Sequence, residues 1–251
     1  MVGMYSNYNL IIQAILNLFL QIFSSITASV GNLLVEGNIK KSYTIYKNML
    51  FLNSWIFAFA STGILCIIEP FIEIWIGEEF ILPFTVLVIL VINFYIQGLR
   101  RTSNTFKEAA GIFYEDRYVP VMEAIINIVA SIILVNIIGL AGVFVGTIIS
   151  TCILFLYSYP KFVYKPLFER NYLQYIKDYI PYIMVAIISV FTTFLLTSRI
   201  RIDNTILQII INLIIVIIVP NLIHLIAFYH TGELKYYKNL ILNFIRKAKN
   251  T

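Results

Sequence analysis

Seven stretches of predominantly apolar residues, each about twenty residues long, constrain the fold of this chain more than any other feature of its sequence. A helix of about twenty apolar residues crosses a bilayer core of roughly 30 Å with all its backbone hydrogen bonds made internally. We therefore predict an all-α fold, a polytopic membrane bundle of about seven transmembrane helices. They are expected at residues 10–34, 50–68, 81–99, 119–138, 140–158, 180–197 and 205–229. Pro70 is expected to end the second helix, and Pro160 and Pro166 to lie in a loop.

Composition excludes the other broad classes of protein. The chain has 60% hydrophobic and 12% charged residues, whereas soluble domains average about 45–50% apolar and about 25% charged residues. It is too apolar to form a globule in water or to be disordered. Cys66 and Cys152 lie inside apolar segments without ligand-like neighbours, so we expect no disulfide framework and no metal site. The basic residues are dispersed between the apolar segments, which indicates no role in nucleic-acid binding.

The basic residues also indicate how the helices are oriented. Sixteen of the eighteen lysines and arginines lie in the first, third and fifth connections and in the C-terminal tail. The other two, Arg199 and Arg201, lie in the sixth connection, and the second connection is acidic. Because cytoplasmic connections are enriched in Lys and Arg, we expect the N-terminus outside and the C-terminus inside the cell.

An exterior N-terminus that begins nine residues before the first helix, without a signal peptide, is unusual for a complete protein. We therefore expect the chain to be the C-terminal part of a longer one.

The first predicted helix has a polar face. At about 100° per residue, one arc of this helix holds six polar or small residues, namely Gln13, Asn17, Gln21, Ser24, Gly31 and Asn32. Amides avoid lipid, so this face is expected either to line a hydrated cavity for a polar substrate or to form hydrogen bonds with neighbouring helices.

Cations flank the third connection where it joins the third and fourth helices. Arg101, Lys107 and Arg117 lie there, close to the expected cytoplasmic surface. They are interpreted either as orientation signals in a solvated loop or as a cationic site for a phosphate or diphosphate headgroup. Glu123 lies about one turn into the fourth helix, where an unpaired carboxylate is costly. It is expected to pair with Arg101 or Arg117, or to extend to the membrane interface.

Small residues indicate close packing of the fourth and fifth helices. Gly142, Gly146 and Ser150 are spaced by four residues along the fifth helix, which permits a close approach of a neighbouring helix. Gly139 leaves almost no connection between the two helices, so a tight antiparallel hairpin is expected.

The chain divides into a transmembrane bundle at residues 1–232 and a basic amphipathic tail at residues 233–251, which is typical of a helix lying at a membrane surface. His224 and His230 have no nearby acid or nucleophile. We therefore expect no enzymatic activity and no cofactor.

Five local sequences follow one another in an order typical of one family: GMYSNYNLII at 3–12, ITASVGNL at 26–33, PFIEIWIGEEF at 70–80, RRTSNTFKEAAGIFYEDRYVPVMEAIIN at 100–127 and GLAGVFVGTIIST at 139–151. In this order they resemble the C-terminal half of the bacterial Wzx-type polysaccharide-export flippases, which belong with the MATE-like transporters to the multidrug/oligosaccharide flippase superfamily. The resemblance covers about residues 3–151 and is most specific at residues 106–120.

The resemblance implies a multi-pass protein of the bacterial inner membrane whose two pseudo-repeated bundles alternately expose a central cavity. Its substrate would be an undecaprenyl-diphosphate-linked oligosaccharide, moved to the outer leaflet for O-antigen or another polysaccharide. Family members have about twelve to fourteen helices, so about half would be absent here. The expected partners are the lipid bilayer, the lipid-linked oligosaccharide and a separate or missing first bundle.

In this interpretation Arg101, Lys107 and Arg117 hold the headgroup. The residues lining the cavity are Gln13, Asn17, Gln21, Asn93 and Glu123. Three alternatives stay open: a truncated inactive fragment, a half-subunit that packs against a separately encoded partner, and a multidrug antiporter of the same superfamily.

Overall fold

The structure, a computed structural model, describes residues 2–200 and 202–249, and in these ranges the chain consists of helices joined by short turns. Seven helical segments are long and apolar enough to cross a membrane, which confirms the all-α class and the predicted number of spans. Arg201 of the sixth connection and the last two residues of the tail lie outside the described ranges. The α-helices are α1 Val2–Val35, α2 Ile39–Ile76, α3 Phe84–Ala109, α4 Val119–Ile138, α5 Leu140–Tyr159, α6 Lys165–Phe168, α7 Tyr172–Arg199, α8 Thr205–Ala227 and α9 Gly232–Lys249.

Successive spanning helices alternate in direction, so that their ends gather at two poles. At one pole the start of α2 meets the start of α7, because the Lys47 ammonium donates to Asp178 Oδ1 at 3.1 Å. At the opposite pole the start of α1 meets the segment before α3, where the backbone N–H of Leu82 donates to the hydroxyl of Tyr8 at 3.2 Å. The connections that carry most of the basic residues lie at the first pole, which we call the basic end.

Helix α2 is the centre of the bundle and packs against α3, α7 and α8. It continues to Ile76, so the prediction that Pro70 ends the second helix is wrong. Proline at position 70 removes the N–H that would bind the carbonyl of Cys66 four residues earlier. Asn212 of α8 replaces that donor, because its side-chain amide donates to Cys66 O at 2.8 Å. A hydrogen bond from a neighbouring helix thus keeps the backbone satisfied within the bundle.

Helices α4 and α5 form the expected tight antiparallel hairpin, joined at Gly139 with a φ of 64°. A Cβ atom at Gly142 would lie 2.3 Å from the backbone carbon of Leu134, and one at Gly146 would lie 2.4 Å from Ser131 Oγ. Both glycines therefore allow the two backbones to approach, as the spacing predicts. The hairpin packs on the rest of the bundle through α5 and α3, and α4 lies at the periphery.

The chain from the end of α5 to Phe168 is helical, so the loop predicted around Pro160 and Pro166 is wrong. A π-helical turn spans Pro160–Tyr164, and α6 follows it directly. The aromatic side chains of this segment pack into the bundle, where Tyr164 and Phe168 are almost fully buried beside Tyr46. Burial of large aromatic rings outweighs the proline signals that favour a loop.

Helix α9 begins against the bundle and then leaves it. The Glu233 carboxylate lies 3.6 Å from the Lys47 ammonium, and the Tyr237 hydroxyl donates to the backbone oxygen of Asn48 at 3.1 Å. Further along the helix, Ile241 and Phe244 are exposed. Exposed apolar residues on a basic helix are typical of a segment that lies in a membrane interface.

Candidate functional site

Two polar residues of α3, Asn93 and Arg100, face the α4–α5 hairpin from one side of the helix. Asn93 and Arg100 are seven residues apart, which places them on the same face. The Asn93 amide donates to the backbone oxygen of Phe144 at 3.1 Å, and its side chain is buried. Arg100 extends from the same face toward α4. This face of α3 therefore binds the hairpin through polar contacts.

Glu123 is paired with Arg100, so the expectation that Arg101 or Arg117 would be its partner is wrong. Arg100 Nη1 donates to Glu123 Oε1 at 2.6 Å and Nη2 donates to Oε2 at 2.9 Å. The Thr151 hydroxyl donates to Glu123 Oε1 at 3.1 Å. A bidentate guanidinium–carboxylate pair with a further donor satisfies most of the hydrogen-bonding capacity of the carboxylate. Glu123 therefore joins α3, α4 and α5 through this network.

Lys107 is neutralised by a buried acid. Its ammonium donates to Asp116 Oδ2, and the Ser158 hydroxyl donates to Asp116 Oδ1 at 3.0 Å. Asp116 is 3% exposed. The pair fastens the connection between α3 and α4 to the end of α5, so little of the Lys107 charge is left for an anionic ligand.

Arg117 lies on the surface of the same connection. Its guanidinium carbon is 3.8 Å from the centre of the Tyr114 ring, and Nη1 donates to the backbone oxygen of Tyr114 at 3.1 Å. These contacts are local, and the residue is exposed. Arg117 can therefore serve as an orientation signal or meet a ligand at the membrane surface.

Arg101 is the least satisfied of the three predicted headgroup cations. Its side chain is 18% exposed, and its nearest carboxylate oxygen among the described residues, Glu108 Oε1, lies 3.8 Å from Nη1. Its buried Nε atom has no hydrogen-bond partner there. A guanidinium with unused donors can still bind an anion such as a phosphate.

The polar face of α1 lies on the outside of this bundle. Gln13, Asn17 and Gln21 are exposed, and the opposite face of α1 packs against α3. Tyr8 near the start of α1 contacts Leu82 just before α3, so the two helices run in the same direction. Gln21 of α1 and Gln97 of α3 therefore lie at similar distances from this pole. Gln97 is also exposed. The chain thus presents uncharged hydrogen-bonding groups within two helices that are long and apolar enough to cross a membrane.

An apolar groove of about 420 Å³ lies between α1, α2 and α8. All of its lining residues are apolar, among them Ile15 and Phe19 of α1, Phe71 of α2 and Leu213 of α8. The residues of α1 that line the groove lie opposite the polar face on the helix. Helix α1 therefore separates a surface suited to hydrocarbon from a surface suited to polar groups.

A polar cluster at the basic end was not predicted from the sequence. Asp178 of α7 is 4% exposed and accepts hydrogen bonds from Tyr43 at 2.5 Å and Tyr164 at 3.1 Å. Lys47 and Gln174 also donate to it. An acid four residues after Gln174 in a tyrosine-rich stretch could have indicated such a cluster. All of its acceptor capacity is used, so it holds α2, the π-helical turn Pro160–Tyr164 and α7 together.

Within the part of the chain that the structure describes, no group of three or more His, Cys, Asp or Glu residues could hold a metal ion. No protein-family model, no curated protein and no solved structure matches this chain.

Proposed function

We propose that this chain forms one bundle of a transporter that moves a polyprenyl-diphosphate-linked oligosaccharide across the bacterial inner membrane. The proposal rests on the resemblance of residues 3–151 to polysaccharide-export flippases and on the surface of α1. A second bundle, in the same or another chain, would face α1 and close the cavity.

The exposed amides of α1 are the observation that supports the proposal most. Amide side chains such as Asn17 and Gln21 are unfavourable in contact with lipid, so this face requires water or protein beside it. A hydrated cavity between two bundles supplies both. The hydroxyl groups of a glycan would accept hydrogen bonds from these amides and donate hydrogen bonds to them. The apolar groove behind α1 would accommodate the polyprenyl chain.

The ion pair of Glu123 favours this function over a multidrug antiporter. Cation-coupled antiport requires a carboxylate at membrane depth that can bind and release a cation. Glu123 is engaged by Arg100 and Thr151, and Asp178 is saturated by four donors. Neither acid is therefore free for coupling.

Deletion of the encoding gene in its own host tests the proposed function. We expect loss of one surface polysaccharide and accumulation of its polyprenyl-diphosphate-linked repeat unit, measured by mass spectrometry of lipid extracts, with both restored by the wild-type gene. Increased drug sensitivity with unchanged surface glycan would favour the antiporter. An unchanged glycan profile and an unchanged lipid-linked pool would contradict transport by this chain and favour the inactive fragment.

Accessibility of α1 to water tests the cavity separately. In a variant with Cys66→Ala and Cys152→Ala, Asn17→Cys should react with a small polar maleimide in intact membranes. The matched control is Ile128→Cys, which is also exposed, lies at mid-helix on α4 and should contact lipid. Equal protection of both cysteines would mean that the face of α1 is covered by protein or lipid instead of water.

A further inference from the structure

A pocket of about 720 Å³ lies on the outside of the bundle at the basic end, apart from the polar face of α1. It is formed by the end of α5, the π-helical turn, α6 and the start of α7. Its lining residues are Leu156, Tyr157, Pro160, Lys161, Lys165, Glu169, Arg170, Asn171 and Tyr172. A volume of this size is within the range of small-ligand sites, which is about 300–1,000 Å³.

The backbone of this segment gathers three cations around the pocket. The N–H of Lys165 donates to the carbonyl of Pro160, which widens the helix by one residue. Helix α6 ends at Phe168, the next residue Glu169 has a φ of 54°, and the N–H of Arg170 donates to Tyr164 O at 3.2 Å. This reversal brings Arg170 back to the side on which Lys161 and Lys165 lie.

The three cations have no anionic partner in the part of the chain that the structure describes. Among the described residues, none of Lys161, Lys165 and Arg170 forms an ion pair. Lys161 donates to the Tyr157 hydroxyl at 2.6 Å, and the guanidinium carbon of Arg170 lies 4.9 Å from the centre of the Tyr43 ring. Glu169 is the one acid that lines the pocket. The lining therefore has a net positive charge.

The pocket also has the features of a membrane interface. Tyr157 and Tyr172 are about half exposed at its rim, and Leu156 is exposed beside them. Tyrosines are enriched where a bilayer meets water, because the ring is apolar and the hydroxyl is polar. A lining that combines apolar residues with a cluster of cations matches a ligand that has acyl chains and a phosphate.

We infer that this pocket binds the phosphate of an anionic glycerophospholipid from the adjacent leaflet. Lys161, Lys165 and Arg170 bind the phosphate and the negative headgroup, and Leu156 and Pro160 contact the first methylenes of the acyl chains. Residues that served only as orientation signals would attract anionic lipid diffusely, without a saturable site. The inference does not depend on the function proposed for the polar face of α1.

Native mass spectrometry of the full chain in a neutral detergent tests the site. The protein is titrated with phosphatidylglycerol, with phosphatidylcholine and with soluble glycerol 3-phosphate. The pocket variant is Lys161→Gln/Lys165→Gln/Arg170→Gln. The control variant is Lys235→Gln/Lys238→Gln/Arg246→Gln, which removes the same charge from exposed positions of α9.

We expect one saturable phosphatidylglycerol site whose dissociation constant rises about a hundredfold in the pocket variant, since each cation near a membrane surface contributes about fivefold. The control variant should change it by less than about threefold. Glu169→Gln should tighten binding by about fivefold, because it removes the acid of the pocket. This gain cannot result from misfolding.

Three outcomes would overturn the inference. Equal affinity for phosphatidylcholine would show that the negative headgroup is not recognised. Equal weakening in the control variant would show diffuse attraction without a site. Binding of glycerol 3-phosphate as tight as that of the lipid would assign the pocket to a soluble phosphate ester instead.

Discussion

The side-chain amide of Asn212 on α8 donates a hydrogen bond of 2.8 Å to the backbone oxygen of Cys66 on α2. That oxygen is the one that Pro70 deprives of its helical donor. Asn212 is 5% exposed, and Gln208 donates to its Oδ1 at 2.8 Å, which orients the amide. Asn212 and Cys66 are distant in sequence, yet the continuity of the central helix α2 depends on the hydrogen bond between them.

This relationship predicts that the effects of two substitutions are coupled. Asn212→Leu should lower the free energy of unfolding by about 1–3 kcal/mol, because a buried carbonyl is left without a partner. Pro70→Ala restores the backbone N–H that can donate to Cys66 O. Asn212→Leu should therefore lower the free energy of unfolding by less in the Pro70→Ala background. Denaturant titration of the four proteins in detergent micelles measures the difference. Strictly additive effects would show that Pro70 and Asn212 act independently.

The Arg100–Glu123 pair predicts a loss of stability when it is broken. Both side chains are partly buried, with exposed fractions of 20% and 24%. Arg100→Gln should therefore lower the free energy of unfolding by about 2 kcal/mol, a value between those typical of exposed and of buried ion pairs. Arg117→Gln, at an exposed site, should cost less than about 0.5 kcal/mol. Thermal unfolding of the two variants, followed by circular dichroism, measures these losses of stability. Equal losses would contradict a stabilising role of the Arg100–Glu123 pair.

The close approach of α4 and α5 predicts that a single methyl group is enough to disturb the hairpin. A Cβ at Gly142 meets the backbone of Leu134, which cannot move aside as a flexible side chain could. Gly142→Ala should therefore cost about 1–3 kcal/mol of stability. Gly232→Ala is the control, because a Cβ there has no atom within 4 Å. The aggregation temperatures of the two variants in detergent measure the difference. Equal temperatures would contradict the close approach of α4 and α5 at Gly142.

The distribution of basic residues predicts the orientation in the membrane. In the variant without native cysteines, Glu78→Cys should be labelled from outside the cell and Lys235→Cys only after the inner face is exposed. Both positions are exposed, so access is set by the membrane alone. Labelling of position 78 only from the cytoplasmic side would reverse the proposed topology.

The unused donors of Arg101 predict a difference between two conservative substitutions, provided that the proposed function is correct. Arg101→Lys keeps the charge but loses the forked donors that bind a phosphate, so surface glycan should fall by about tenfold. Arg117→Lys keeps the charge at a surface position and should leave export unchanged. Complementation of the deletion strain, with membrane levels checked by immunoblot, compares the two. Normal glycan from both variants would leave Arg101 as an orientation signal.

The sequence by itself determined which segments can cross a membrane and how the α4–α5 hairpin forms. Transfer of a segment into lipid is a sum over its own residues, so a window of about twenty residues contains the necessary information. The glycine spacing at Gly142 and Gly146 is equally local. The polar face of α1 was also readable, because helical periodicity alone defines it.

The partners of the polar groups were decided only by tertiary structure. Arg100 and Arg101 are neighbours in sequence but point about 100° apart on α3, and the rotation of that helix in the bundle decides which of them meets Glu123. Likewise, Pro70 is a local signal to end a helix, and it is overridden by an amide from α8. Such outcomes depend on which helix faces meet, because in lipid a polar group is satisfied by whichever donor or acceptor the packing brings within reach.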